Sequence, residues 1–136
     1  MRNWVFALCL FGLAGCAPPT PLLLRGPIPA SGGWNDGCPR ADGIDRPSRS
    51  GSEGSPELNR RLNAQFPAGS PASALASTLA AQGFARIEPC ANDATIHSAT
   101  FVGGRSWVET WSQVAWKQDA EGRIVWVKGS VAYTGL

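Results

Sequence analysis

Seven of the chain's 11 prolines and seven of its 16 glycines fall between residues 17 and 54, which denies that stretch any helical or strand periodicity. Proline removes a backbone donor and glycine raises the entropy cost of ordering, so regular structure is pushed into residues 55–136. The stretch 16–54 is therefore expected to act as a semi-extended tether and linker, with one folded domain over 55–136.

What precedes the tether has a different character. Arg2 supplies a positive start, and Trp4 to Leu13 form an apolar run too short for the 20 or so residues that span a bilayer. The run closes on Leu13-Ala14-Gly15-Cys16, a lipobox-like sequence whose small residues suit a peptidase cleft. Residues 1–15 are thus expected to be a lipoprotein signal peptide, with Cys16 lipidated and first in the mature chain. Two or three acyl chains on one residue make attachment effectively permanent, so the membrane is an expected partner through Cys16.

Removing residues 1–15 from the 136 leaves 121, enough for one modest domain. Only Arg2 of the 12 basic residues leaves with them, so 11 basic face 10 acidic residues. No basic block of five or more occurs, which argues against nucleic acid as a partner. Of the four cysteines, Cys9 belongs to the signal and Cys16 to the lipid, leaving Cys38 and Cys90. A disulfide is the expected pairing outside the cytosol; two free thiols or half of a metal site are the alternatives. With the bridge, the free tether shrinks to Ala17–Gly37, about 65 Å at the polyproline rise.

The domain opens with two helix signals. Ser55-Pro56 reads as an N-cap followed by proline at the first helical position, with Leu58, Leu62 and Phe66 on one face. Ser70-Pro71 repeats the signal before Leu75 and Leu79, and Gly83-Phe84 has the form of a Schellman stop. Beyond Gly83 the period becomes two. Ala85–Glu88 reads as a short edge strand broken by Pro89, and Thr95–Val102 as a second strand. Gly103-Gly104 reads as a turn, Trp107–Lys117 as a long strand, and Asp119–Gly122 as a hairpin turn leading to Arg123–Tyr133. The order predicts an α+β two-layer sandwich: two helices, then three or four antiparallel strands.

Register in that last hairpin decides which faces form. If Asp119 pairs with Gly122, then Val108, Thr110, Ser112, Val114 and Trp116 share a face with Val125, Val127, Val131 and Tyr133. A G1 bulge at Gly122 suits the glycine but would bring Glu109, Gln113 and Lys117 onto that face. The first register is preferred because it buries no charge.

Residues 57–136 resemble the BamE-like (SmpA/OmlA) family of small bacterial lipoproteins. The carrying residues are Phe66-Pro67-Ala68-Gly69-Ser70-Pro71, Leu79 with Gly83-Phe84, and Val114-Ala115-Trp116 with Asp119 and Gly122-Arg123-Ile124. The resemblance implies an ααβββ module on the periplasmic side of the outer membrane, as an accessory in β-barrel assembly or envelope integrity. The long linker, the cysteine pair and the tryptophan-rich strands depart from the barrel-assembly member, and no partner-binding residue carries over.

Five of the six tryptophans survive signal removal. In the preferred register Trp107, Trp111 and Trp126 point away from the helices among Glu109, Gln113, Lys117 and Lys128. That face is a candidate partner-binding surface; alternatively the 17–54 segment, carrying Trp34, covers it, or the rings are core. His97, the sole histidine, has no accompanying nucleophile motif and is expected to be solvent-facing or hydrogen-bonded on its strand. Gly32-Gly33 and Gly103-Gly104 lack the context of a phosphate loop, and the scattered acids lack that of a glycosidase pair. The expectation is a non-catalytic, cofactor-free envelope protein with a structural or partner-binding role. Ala17, rather than Asp, after the lipidated cysteine favours the outer membrane in a diderm host. A binder or inhibitor of an envelope enzyme is the alternative.

Overall fold

The computed structural model describes residues 19–31, 34, 38, 54–105 and 107–135. The signal region, Cys16 and Gly32-Gly33 lie outside the described residues. Two helices, α1 (Pro56–Gln65) and α2 (Ala72–Ala81), precede four strands: β1 (Ala85–Cys90), β2 (Asp93–Arg105), β3 (Val108–Gln118) and β4 (Ile124–Gly135). The strands form one antiparallel sheet in the order β1-β2-β3-β4, with the helices on one face. This is the α+β arrangement that the sequence predicts, with four strands.

Local chemistry explains the helix ends. The Ser55 hydroxyl accepts from the Leu58 N–H (3.3 Å), and Pro56 occupies the first turn where its missing donor costs nothing. At the end of α2, Gly83 (φ +89°) donates to the Ala80 carbonyl and Phe84 to that of Leu79, each at 3.0 Å, the two bonds of a Schellman motif. Leu79 and Phe84 both enter the core. The start of α2 differs from expectation. Ser70 does not cap it; instead the Ser70 carbonyl accepts from Ile124 N–H (2.8 Å) and Pro71 bridges Arg123. The 69–71 backbone is spent on β4, so α2 begins one residue later, at Ala72.

The strand bounds also correct the sequence reading. Pro89 does not break β1, because an edge strand has one side free of ladder bonds. Gly103-Gly104 is not a turn: both residues lie within β2, opposite Thr110 and Glu109. A side chain at Gly103 would meet the Phe101 ring at 2.6 Å, and one at Gly104 would strike the Val108 carbonyl, so close approach explains both glycines.

At the β3–β4 hairpin both anticipated features occur together. Gly122 (φ +74°) donates to the Asp119 carbonyl (3.0 Å) and Asp119 donates to Arg123 (2.9 Å), the G1-bulge closure that the preferred register rejects. A second irregularity follows: Gln118 pairs with Ile124, but Lys117 pairs with Trp126, leaving Val125 extra. That bulge restores parity, so Ser112, Val114 and Trp116 oppose Val131, Gly129 and Val127 on the helix side. Ile124 takes the core position expected for Val125, which is 47% exposed. A second bulge costs less than burying Glu109 and Lys117.

The largest correction concerns the tether. Leu22–Leu24 form a 3-10 turn, and Leu23, Leu24 and Ile28 are buried in the same core as Leu58, Leu62, Leu75, Leu79, Phe101, Trp116 and Val131. The folded unit therefore starts near Pro21, not at Ser55, and Ala17–Gly37 is not a free spacer over its described part. Three large aliphatic side chains gain more from burial than proline and glycine cost, because their irregular backbone still finds partners. Arg61 supplies some of them, its Nη1 donating to the carbonyls of Leu23 (3.0 Å) and Arg25 (2.6 Å).

Candidate functional site

Sheet edges are the usual place for a partner strand to add, and here both are occupied or irregular. Along β4, Ser31 N–H donates to the Val131 carbonyl (2.8 Å) and Ser55 N–H to that of Gly129 (2.7 Å). Asn59 Oδ1 accepts from Gly129 N–H (2.7 Å), Asn63 Nδ2 donates to the Val127 carbonyl (3.4 Å), and residues 69–71 take Ile124. On the opposite edge, β1 carries Pro89, two register shifts and Arg86 at φ +53°. Neither edge offers a regular ladder for another chain.

The surface left is the sheet face away from the helices. It carries Ser98, Thr100 and Val102 from β2, Glu109, Trp111, Gln113, Ala115 and Lys117 from β3, and Trp126 and Lys128 from β4, as the register dictates. The N-terminal segment rounds the β4 edge to reach it. Ser31 sits on β4, the Trp34 N–H donates to Gln113 Oε1 (3.2 Å), and Cys38 is joined to Cys90 on β1 in a disulfide with Cα atoms 6.0 Å apart. The expected disulfide thus forms, and it closes a strap running from the helix layer around one edge to the other. Ile96, Ala115 and Ser130 are buried on this face.

The expected tryptophan cluster divides. Trp111 is 43% exposed, its indole N–H held by Glu109 Oε2 (2.9 Å), which also accepts from Thr134 Oγ1 (3.4 Å). Trp126 is half-buried with the Lys128 ammonium 5.5 Å from its ring centroid. Trp107 does not belong to the face: it occupies the β2–β3 turn and is 79% exposed. The turn falls there because β2 continues through its two glycines. Of the three expected rings, Trp111 and Trp126 lie on this face and Trp107 does not.

Beside the disulfide on this face lies a half-open groove of about 670 Å³, lined among others by Arg86, Glu88, Ser98, Thr100, Trp111 and Gln113. Its lining mixes an aromatic ring with hydroxyl, amide, carboxylate and guanidinium groups, which suits an amphipathic ligand better than an apolar one. The sequence reading missed Arg86 and Thr100, since an isolated polar residue on an edge strand carries no motif. The strap's leucine triplet within a proline-rich stretch was the available signal for Leu23 and Leu24.

His97, on the helix side of β2, is half-buried. Its ring stacks on Trp116 (5.7 Å, 15°) opposite it on β3, and His97 Nδ1 and Trp116 Nε1 are buried without a hydrogen bond among the described residues. No nucleophile is paired with it there. No group of three or more His, Cys, Asp or Glu is placed to hold a metal among the described residues, and none of their helices is long and apolar enough to cross a membrane.

Two carboxylates are electrostatically distinct. Hydrogen bonds from Arg60 and then Arg61 hold Glu57 at about 2, down from an ordinary 4.5. Asp93 is lowered by the Thr95 hydroxyl and N–H, with Lys117 adding its charge. Both groups organise structure, one gripping the strap through Arg61 and the other the β1–β2 hairpin.

Compared with family models, curated proteins and solved structures, the chain matches none of them.

Proposed function

We propose that this is a lipid-anchored protein of the bacterial envelope, BamE-like in organisation, that binds a protein partner on the outer sheet face and performs no catalysis. The observation that carries the reading is Leu13-Ala14-Gly15-Cys16, which closes the short apolar run that follows Arg2. The Cys38–Cys90 disulfide supports a compartment outside the cytosol, where such bridges persist. Ala17 supports sorting to the outer membrane in a diderm host. With the β4 edge occupied and the β1 edge irregular, a partner is received face-on, at Trp111, Trp126 and the groove beside the disulfide.

Crosslinking in the native envelope tests this reading. A photoreactive residue at position 111 or 126 is expected to capture one envelope protein that the same residue in place of Ser77, exposed on α2, does not. Equal capture from both faces, or none from the sheet, would contradict a partner site there.

A further inference from the structure

The two ends of the sheet differ in chemistry. Eight large apolar side chains are exposed among the described residues, and six of them gather toward the β2–β3 end: Leu22, Val102, Trp107, Val108, Trp111 and Tyr133. Trp107 forms the turn and Val108 follows it, opposite Gly135. Tyr133 donates its hydroxyl to the Ile28 carbonyl (2.8 Å), which brings the strap to this end. Leu22, 61% exposed, arrives with it: the neighbouring Leu23 N–H donates to Gln82 Oε1 (3.0 Å), and Gly83 faces the Phe101 ring. Acidic groups collect at the other end, where Asp93, Asp119 and Glu121 stand in the β1–β2 and β3–β4 hairpins. Glu109 is the acid nearest the apolar end, and its carboxylate is engaged by Trp111 and Thr134.

We propose that the β2–β3 end of the domain rests on the lipid surface, with Trp107, Val108 and Leu22 entering the headgroup layer. The proposal rests on the lipid-anchor reading and adds an orientation to it. Pro19 is three residues from Cys16, a reach of about 10 Å at full extension. Leu22 is three residues further on. A lipid on Cys16 therefore holds the Leu22 end, not the acidic hairpins, against the bilayer. Tryptophan is the side chain best suited to that depth, its ring apolar and its N–H able to meet headgroup or water. The acidic hairpins are then held away from anionic headgroups, and the groove beside the disulfide stands perpendicular to the surface, open to a periplasmic partner.

Tryptophan quenching tests this with the native lipidated protein in phosphatidylethanolamine/phosphatidylglycerol vesicles carrying brominated acyl chains. Quenching is expected in wild type and to fall at least twofold in Trp107→Phe, whose exposed position leaves the fold intact by circular dichroism. Leu22→Ser is expected to reduce it less. Equal quenching in wild type and Trp107→Phe, with lipid on Cys16 verified by intact mass, overturns the orientation alone. Concentration-dependent self-association abolished by Trp107→Phe, without bromolipid quenching, overturns it in favour of a second copy of this chain. An intact mass with no lipid on Cys16 overturns the anchor reading and this proposal together.

Discussion

Ser31 and Val131, 100 positions apart in the chain, are hydrogen-bonded in both directions: Ser31 N–H donates to the Val131 carbonyl at 2.8 Å, and Val131 N–H donates to Ser31 Oγ at 3.0 Å. One residue thereby satisfies both edge-facing groups of a β4 position, with its hydroxyl standing in for a strand carbonyl. Both residues are buried, so water cannot replace either bond. Ser31→Ala removes the hydroxyl, which accepts from the Val131 N–H and itself donates to the Val131 carbonyl at 3.4 Å, and leaves that N–H unpaired. A loss of about 1–3 kcal/mol is expected in urea unfolding, with faster hydrogen exchange at the Val131 amide. Unchanged exchange there would mean the strap does not hold this edge.

Gly129 lets α1 sit on β4. A side chain there would meet Leu58 Cδ2 at 2.5 Å and Leu62 Cδ1 at 3.0 Å, both fully buried. Gly129→Ala is expected to cost about 1–3 kcal/mol by overpacking, measured by thermal or urea unfolding. Arg86→Gly provides the opposite sign. Its φ of +53° is strained for arginine, so the backbone change there is expected to be neutral or slightly stabilising.

Removing the disulfide with Cys38→Ser and Cys90→Ser together is expected to lower stability by about 2–4 kcal/mol, since the bridge spans 52 positions. Leu23, Leu24 and Ile28 keep the first part of the strap in the core in that variant. The expected readout is greater protease sensitivity near Trp34 with little change near Leu23.

Glu57 makes the strap acid-sensitive. Its folded value of about 2 lies below its ordinary 4.5, so its ion pairs with Arg60 and Arg61 contribute stability above pH 4.5. That contribution falls as pH drops from 4.5 and is gone below about 2, when the carboxylate is protonated in both states. Glu57→Gln is expected to lie below wild type at pH 7 and to converge with it near pH 2 in urea titrations.

The α+β order, the start of α1 and the end of α2 were legible because Ser55-Pro56 and Gly83-Phe84 act through neighbours within a few residues. The core face of the sheet was legible in parity, since charge cannot be buried cheaply. The strap was not. Its contacts join Ile28 to Tyr133 and Ser31 to Val131, and proline-rich sequence carries no period that reports such distant partners. The second bulge at Val125 was equally hidden, because it compensates for a turn and has no residue signature of its own. At the candidate site, Trp111 and Trp126 could be placed on a face, whereas Trp107 moved to the turn once Gly103 and Gly104 proved to be strand residues. The groove draws its lining from β1, β2, β3 and Cys38, which lie far apart in the chain, so no local pattern announces Arg86 or Thr100.

The account depends most on Cys16, and the intact mass of the protein purified from its native envelope tests it directly. The predicted species begins at Cys16, carries diacylglyceryl and N-acyl groups on that residue, and is two hydrogens light from the Cys38–Cys90 bridge. A chain that retains Met1, or one whose Cys16 is unmodified, would contradict the account.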